Sequence, residues 1–309
     1  MQRVGLMVGR EWSFPPKFID EVNRRDAGVV AEYVSVGAAG MADPCPYAVI
    51  IDRISHDIPF YRSYLKNAAL AGTRVINNPF WWSADDKFFN YALAARLDVA
   101  IPHTVLLPHK AHPPGTTEQS MRNLEFPLRW DRIFDYVGFP AFLKPHDGGG
   151  WRNVYKVTTP EELFAAYDET GTLCMTLQAA VNFDEYFRCY VVNQDKVHVM
   201  RYDPGQPHHL RYVPGNPPPD SALGERMEQD ALKLCRALGY DLNTVEFAVE
   251  NGIPYAIDFM NPAPDAGLES VGPENFRWIV EHVAEMAIER ALYAAPAPAY
   301  HWSKFLEND

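Results

Sequence analysis

The sequence predicts a mixed α/β protein that begins with a small open sheet. Strand-like and helix-like runs alternate through the first third of the chain, starting with a mostly apolar run at 3–8. Residues 47–51 are apolar at every position, which is typical of a strand covered on both faces. The helical spacing within 61–69 stops at Gly72, and a short strand at 75–76 then ends in an Asn-Asn-Pro turn. These runs indicate an open α/β sheet of about four strands.

Strand and helix patterns continue to the end of the chain. Ser83–Asp86 has the character of a helix start, and the proline-bearing residues 108–120 are predicted to form a loop. We divide the chain into an amino-terminal domain (1–83), a central domain with a glycine-rich loop (84–178) and a carboxyl-terminal domain (179–309). The further predicted strands are 105–107, 141–144, 154–157, 173–178, 186–192, 196–202, 244–249 and 255–260, and the further predicted helices are 160–168, 221–238 and 273–293.

The composition excludes several classes of protein. The chain has 309 residues, with 28 Lys and Arg against 40 Asp and Glu, and a formal charge of −12. Because binding of nucleic acid without sequence preference needs a basic surface, no nucleic-acid partner is expected. The sequence has neither an apolar stretch long enough for a membrane span nor an export leader, so we expect a cytoplasmic protein without a membrane partner. The four cysteines are too scattered for a zinc site or a disulfide framework.

A glycine-rich loop follows a strand that ends in a lysine. The strand leads into Lys144, and Gly148, Gly149 and Gly150 come shortly after it. Glycines permit positive φ angles and close backbone approach, so several N–H groups can point at one phosphate chain, for which the lysine adds a charge. The segment is neither a P-loop nor a dinucleotide-binding Gly-x-Gly-x-x-Gly. Taken alone, it is equally compatible with an ordinary glycine turn.

A second segment connects two predicted strands through an apolar turn. Gln178 ends the first strand, residues 179–181 are apolar, and Asp184 and Glu185 precede a strand that carries Arg188. Such a connector can offer backbone donors and acceptors to an adenine edge, and a carboxylate beyond it can accept ribose hydroxyls. Taken alone, the segment is better interpreted as a solvated loop with a surface ion pair.

A third segment, 244–262, predicts a hairpin with two acidic residues inside it. Asn251-Gly252 lies between two strand-like runs, which is a strong turn signal. Glu246 and Asp258 each interrupt an apolar strand, where an unpaired buried carboxylate is costly. The two acids therefore need a partner.

The register of this hairpin decides whether the two acids meet. A two-residue turn would pair Glu250 with Ile253 and put Glu246 and Asp258 on opposite faces, because side chains alternate along a strand. A three-residue loop would pair Glu250 with Pro254 and set Glu246 across from Asp258, with Cβ atoms ~5 Å apart. Acids this close repel each other unless a cation lies between them, and carboxylate oxygens suit Mg²⁺. We predict the three-residue loop; two separately solvated acids are the alternative.

In this order, the three segments resemble the ATP-grasp superfamily, which includes D-alanine–D-alanine ligase, glutathione synthetase and the ribosomal-protein glutamate ligase. The resemblance extends from about Val75 to Asp265. It includes the Asp86-Lys87 helix start and Ile101–Thr104, which is similar to the family's Gly-Ile-Pro-x-Pro-x-Thr. Residues 1–74 match only as the expected small domain. The resemblance implies an ATP-grasp fold behind a small open α/β pre-ATP-grasp domain.

The resemblance also implies roles for individual residues. Arginines of the last third would contact the γ-phosphate and the acyl substrate, namely Arg188, Arg201 and Arg211. Mg²⁺, with Mn²⁺ as an alternative, would be held by Glu246, Asp258 and Asn261. The implied nucleotide-binding residues are Lys87 and Lys144 for the phosphates, Gly148, Gly149 and Gly150 in the lid, Gln178, Ala179, Ala180 and Val181 in the adenine hinge, and Glu185 for the ribose, with Asp184 as its rival.

The sequence departs from the family pattern at two places. The family spaces its last acid and asparagine as Glu-x-Asn, whereas two residues separate Asp258 from Asn261. Unless residues 259–260 bulge, Asn261 points to the other face of the strand. The lid also carries Trp151-Arg152 where the family has small residues.

The function implied is that of a ligase that uses ATP and Mg²⁺ to form C–N bonds. A small-molecule or peptide carboxylate would become an acylphosphate, and an amine, or less often a thiol, would displace the phosphate. Two alternatives stay open at this point: a kinase that stops at a phosphorylated product, and an ATP-binding regulator or scaffold without turnover. A homodimer is also compatible with the sequence.

Overall fold

Three four-stranded sheets follow one another along the part of the chain that the computed structural model describes, which comprises residues 1–82, 86–147, 151–215, 219–293, 300 and 302. The mixed α/β class predicted from the sequence is confirmed. No helix within these ranges combines the length and the apolar character that a membrane crossing requires.

The first sheet is parallel throughout, with the strand order β2-β1-β3-β4. Its elements are β1 (Gln2–Met7), α1 (Phe14–Arg24), β2 (Val29–Tyr33), β3 (Val49–Asp52), α2 (Pro59–Leu70) and β4 (Arg74–Ile76). The expected small open α/β sheet is therefore present. Helix α1 is missing from the sequence prediction, although Phe14, Phe18 and Val22 recur every four residues and are all buried.

The second sheet is antiparallel, with the strand order β5-β8-β6-β7. The elements from this part of the chain are α3 (Lys87–Arg96), β5 (Thr104–Leu107), α4 (Trp130–Val137), β6 (Ala141–Pro145), β7 (Tyr155–Val157), α5 (Pro160–Glu169) and β8 (Met175–Ala179). The predicted loop at 108–120 is irregular until a 3-10 turn at Glu118–Met121. Helix α4 was not predicted. The predicted helix start at Ser83–Asp86 lies mostly outside the described residues, and Asp86 is the residue that caps α3, by accepting from the Phe89 amide.

The third sheet is also antiparallel, with the strand order β10-β9-β11-β12. Its elements are β9 (Glu185–Val192), β10 (Lys196–Arg201), α6 (Ser221–Leu238), β11 (Leu242–Glu250), β12 (Ile253–Asp258), α7 (Leu268–Val271) and α8 (Pro273–Leu292). Helix α6 has the predicted bounds because strong signals mark both ends. The Asp220 side chain accepts from the Ala222 amide, and Gly239 ends the helix with a φ of +78°.

One apolar cluster joins the first sheet to the third, whereas the second sheet has a cluster of its own with α4 and α5. Helix α8 packs in one apolar cluster with β1 of the first sheet and β9 of the third. Helix α3 packs against the third sheet, since Tyr91 and Ala94 share a second cluster with Phe247 and Phe259. Each sheet lies, to within one residue, inside one of the three domains predicted from the sequence, but the domain limits themselves stay a prediction.

Two buried side chains of the first sheet's carboxyl-terminal end hold the segment that follows β12. Asn77 donates to the carbonyls of Leu242 (2.7 Å) and Pro262 (2.9 Å). Arg53, only 3% exposed, donates to the Pro264 carbonyl at 2.5 Å and is ion-paired with Glu11 at 2.6 Å. Residues 262–264, which follow the third sheet, are therefore held by side chains of the first sheet's end.

Candidate active site

A cavity of about 520 Å³ lies between the second and third sheets, with α3 at its side. Its walls come from β6 and β8, from Trp151 and Arg152 beyond the glycine-rich loop, and from β9, β11 and β12. Most of the site residues that the resemblance implied line this one cavity: Lys87, Lys144, Gln178, Ala179, Val181, Arg188, Arg211, Glu246, Asp258 and Asn261.

Other implied residues are not among the described lining of the cavity. Glu185 is ion-paired with Arg201 at 2.7 Å, and the Asp184 amide donates to the Val249 carbonyl. The Ala180 amide donates to the carbonyl of Pro140. Gly148, Gly149 and Gly150 lie outside the described residues. The roles implied for all of these residues stay predictions.

A row of four charges crosses the floor of the cavity. Arg188, Glu246 and Asp258 are register partners on the adjacent strands β9, β11 and β12, so their side chains follow one another across the sheet. The Arg188 Nε atom lies 3.5 Å from Glu246 Oε1. Lys87, the first residue of α3, completes the row with its Nζ atom 3.2 Å from Asp258 Oδ1. The two acids thus face each other between two cations.

Glu246 and Asp258 are paired across the hairpin as predicted, but the turn that leads to this pairing differs from the predicted one. The hairpin closes with the two-residue turn, because Glu250 pairs with Ile253 rather than with Pro254. The prediction of a three-residue loop was therefore wrong. A β-bulge next to Glu246 then shifts the register by one residue, since Phe247 pairs with Ala256 but Glu246 pairs with Asp258. Ile257 is the extra residue that shifts Asp258 onto the face of Glu246.

Neighbouring cations keep the Asp258 carboxylate ionised. Its burial alone would raise its pKa, but the charges of Lys87 and Lys144 outweigh that effect and hold the pKa below its usual range. Glu246 is held from the other side, where its Oε2 atom accepts from the Tyr186 hydroxyl at 2.6 Å. The pair therefore presents fixed oxygen atoms to the cavity.

Lys144 is held by neutral groups. Its ammonium donates to the Tyr91 hydroxyl (2.7 Å) and to Gln178 Oε1 (2.8 Å). Burial and the nearby positive charge of Lys87 lower the pKa of Lys144 to about 7, despite the opposing effect of the two acids. A buried lysine in this state gains most from an anionic ligand.

Asn261 lies on the same cavity as the two acids. Strand β12 ends at Asp258, so the alternation that would turn Asn261 to the other face does not extend to it. The Asn261 amide nitrogen donates to the Thr244 carbonyl at 3.0 Å, and its backbone N–H donates to Asn243 Oδ1 at 3.1 Å. Asn243, a buried asparagine that fixes this segment, was not identified from the sequence.

The donor set suits a hard divalent cation. Glu246 and Asp258 supply carboxylate oxygens, and Asn261 adds an amide oxygen at the same cavity. Within the described ranges, no group of three or more His, Cys, Asp or Glu side chains forms a metal cage. A pair of carboxylates that shares its ion with phosphate oxygens is the usual arrangement for Mg²⁺, so these residues fit that ion.

The fold is similar to that of several solved ligase structures. D-alanine–D-alanine ligase from Bacillus anthracis aligns with a TM-score of 0.65 at 16% identity, covering 94% of this chain and 98% of that one. A RimK domain ATP-grasp protein from Sphaerobacter thermophilus aligns with a TM-score of 0.64 at 16% identity, covering 94% and 100%. The chain has the ATP-grasp fold. The D-Ala:D-Ser ligase VanG from Enterococcus faecalis aligns similarly, with a TM-score of 0.63 at 14% identity and coverage of 94% and 99%.

By sequence, no family model and no curated protein matches the chain. The ATP-grasp fold is therefore visible in the three-dimensional arrangement, whereas the similarity in sequence is confined to the few segments described above.

The sequence analysis missed the tyrosines that contact the charged groups of this cavity. Tyr91 lies one turn after Lys87 on α3, a spacing that places both on one face of the helix. Tyr212 accepts from Arg188 Nη1 at 2.9 Å and contacts Tyr202 edge-on, with ring centroids 5.1 Å apart. Tyr202 and Tyr212 come from distant parts of a loop, so no local pattern could have paired them.

Proposed function

We propose that this protein is an ATP- and Mg²⁺-dependent ligase that activates a carboxylate and transfers it to an amine. The observation that carries the proposal is the placement of Lys144 and of the facing acids Glu246 and Asp258 on one cavity. A polyanionic nucleotide can be neutralised there at both ends, by the lysine on one wall and by a metal ion held by the acids on the other.

The nucleotide would enter along β6 and β8. Lys144 would contact the α- and β-phosphates, under a lid that contains Gly148, Gly149 and Gly150. Gln178, Ala179, Ala180 and Val181 would form the hinge against the adenine, with Glu185 or Asp184 accepting from the ribose. The described part of this wall supports the assignment, since Gln178, Ala179 and Val181 line the cavity beside Lys144.

At the end of the cavity that carries the acids, the metal ion and the arginines would stabilise negative charge during the reaction. Glu246, Asp258 and Asn261 would hold Mg²⁺, or Mn²⁺ in its place, which supplies charge stabilisation to the β- and γ-phosphates when bound. Arg188 is fixed beside Glu246 by its bond to Tyr212, so its charge is already in position before the ligand arrives. Arg211 lines the same end of the cavity and would orient the carboxylate, while Arg201 would act from the neighbouring strand β10.

Most of the rate enhancement would then come from holding the reactants in position. The substrate carboxylate attacks the γ-phosphorus, and the bond to the β-phosphate oxygen breaks to give an acylphosphate and ADP. The amine attacks the acyl carbon, loses its proton to solvent or base, and releases inorganic phosphate. Trp151 and Arg152 on the lid would exclude water that could hydrolyse the intermediate.

The structural neighbours support a ligase in particular. Two of them are a D-alanine–D-alanine ligase and a D-Ala:D-Ser ligase, and one neighbouring structure of the former holds ATP. At 14% to 17% identity these names identify neither substrate of this chain. For this protein, a small-molecule or peptide carboxylate and an amine are therefore proposed as classes only.

The test is a screen of ADP release across pairs of acids and amines, with hydroxylamine included to trap an acylphosphate. The proposal expects ADP only when both partners, or an acid and hydroxylamine, are present. Release of ADP with one substrate alone, together with a stable phosphorylated product, would indicate a kinase instead of a ligase. Tight binding of Mg-ATP without ADP in any combination would indicate a regulator or scaffold.

A further inference from the structure

Each of the two facing acids already has a cation of its own. Arg188 lies against Glu246, and Lys87 lies against Asp258, with closest N–O distances of 3.5 and 3.2 Å. Both cations are largely buried, with side-chain exposures of 10% and 9%. Opposite charges attract each other more strongly away from water, so a metal ion approaching the acids meets two carboxylates whose charge is already offset.

The two cations are attached in different ways. Arg188 is borne by the central strand β9, donates to Tyr212, and lies over the Tyr202 ring. Lys87 reaches Asp258 from α3 on a flexible four-carbon stem, and its backbone N–H is anchored by a hydrogen bond of 2.7 Å to the His146 carbonyl. Of the two, Lys87 is the one that can change partners without moving a strand.

A bare divalent ion therefore finds this site unfavourable. Lys87, Arg188 and Lys144 surround two acids, so a metal ion alone would add two positive charges to a group without excess negative charge. A metal bound to a nucleotide triphosphate brings its own negative charge. The phosphates also offer Lys87 a new partner at the moment when it must leave Asp258.

We propose that Lys87 occupies the metal's position on Asp258 in the nucleotide-free protein and thereby makes metal binding conditional on nucleotide. The inference rests on the proposed function, because it assumes that the cavity receives a metal–nucleotide complex. Lys87 then has two partners in succession, first the Asp258 carboxylate and then a phosphate oxygen. It selects the metal–nucleotide complex over the free ion.

The decisive experiment measures metal binding without nucleotide. The probe is Mn²⁺, and the free ion is measured from its electron paramagnetic resonance signal as protein is added. Lys87→Met removes the charge and keeps the shape of the side chain. We expect it to bind Mn²⁺ alone about tenfold or more tightly than the wild type. Lys196→Met is the matched control, since it removes a lysine that is ion-paired with Glu285 at the surface, and it should behave as the wild type.

The gained site must use Asp258. The double variant Lys87→Met/Asp258→Asn should therefore lose the added affinity, and in the wild type a non-hydrolysable ATP analogue should promote Mn²⁺ binding. Circular dichroism checks folding, and Lys87→Gln replaces Lys87→Met if the latter does not fold. The proposal is overturned if a folded neutral variant binds Mn²⁺ no more tightly than the wild type. Because that titration contains no nucleotide, its result is separate from failure of the ligase assay.

Discussion

The ammonium of Lys144 lies 2.7 Å from the Tyr91 hydroxyl, so this lysine is held by neutral oxygens although the carboxylates of Glu246 and Asp258 line the same cavity. The Tyr91 hydroxyl in turn donates to the carbonyl of Ile257, the bulged residue of β12, at 2.9 Å. One tyrosine therefore contacts both the buried lysine Lys144 and the bulge that brings the two acids together. The proposed two-sided neutralisation of ATP depends on this connection.

Nucleotide affinity should fall with rising pH because of Lys144. Burial and Lys87 lower the pKa of Lys144 to about 7 in the free protein, and bound phosphates would raise it again. Below that pH, Lys144 is protonated in both the free and the nucleotide-bound protein. Above it, Lys144 must take up a proton when the nucleotide binds. Affinity measured by fluorescence titration should therefore weaken by about tenfold or more between about pH 7 and pH 9.

Lys144→Arg is the control for that measurement, since an arginine keeps its charge throughout the range. The affinity of this variant should change with pH only through titration of the nucleotide itself, because the arginine takes up no proton on binding. Equal pH profiles for the two proteins would contradict the assigned role of Lys144.

Tyr91→Phe should weaken both functions of this tyrosine. The variant loses a hydrogen bond to Lys144 and another to the Ile257 carbonyl, at a cost of about 1–3 kcal/mol in unfolding free energy. Nucleotide affinity should fall by about fivefold or more, since a hydrogen bond to a charged group contributes about 1.5 kcal/mol or more. Isothermal calorimetry and denaturant unfolding measure the two effects. Tyr136→Phe, at an exposed position, should change neither.

Tyr212→Phe should lower turnover more than nucleotide affinity. The Tyr212 hydroxyl accepts from Arg188, and without it the guanidinium is free to leave its position beside Glu246. We expect kcat to fall by about three- to tenfold, with a smaller change in the KM for ATP, because only the transition-state contact is impaired. An increase in the KM for ATP at unchanged kcat would mean that Arg188 serves binding alone.

Asn243→Ala should destabilise the protein. The Asn243 side chain is fully buried, donates to the Phe259 carbonyl at 2.8 Å, and accepts from the amides of Thr244 and Asn261. Its loss leaves buried groups without a partner, at about 2–4 kcal/mol in total. Urea unfolding should show a lower midpoint at an unchanged slope. Gln206→Ala, on an exposed loop, is the control. Asn193 and Asn251 are unsuitable because their φ angles are positive (59° and 52°), a conformation that alanine rarely adopts.

Elements with strong local signals were predictable from the sequence. Asp220 and Gly239 determine the two ends of α6, and the Asn-Gly turn of the β11–β12 hairpin is recognisable on its own. The three motif segments also contain most of the residues that line the cavity, although Lys87 and Arg211 lie outside them. Helix α1 shows where this fails, since its apolar spacing was present but two prolines, Pro15 and Pro16, lie in its first turn.

Features that depend on tertiary contacts were not predictable. The bulge at Ile257 has no local signal, so the correct pairing of Glu246 with Asp258 was reached through an incorrect turn. Asn77 and Asn243 appear in the sequence as ordinary polar residues, and only the fold brings them to the backbone of residues 259–262. The Lys87–Asp258 ion pair joins residues 171 positions apart, beyond the reach of any local pattern.

The most direct test of the account is the affinity of a non-hydrolysable ATP analogue with and without Mg²⁺. Lys144→Met should weaken binding in both conditions, since the proposed contact of this lysine is with the phosphates themselves. The double variant Glu246→Gln/Asp258→Asn should lose the part of the affinity that Mg²⁺ adds and keep the rest. If both variants bind the analogue as tightly as the wild type with Mg²⁺ present, a nucleotide is not neutralised between Lys144 and the facing acids, and the account is wrong.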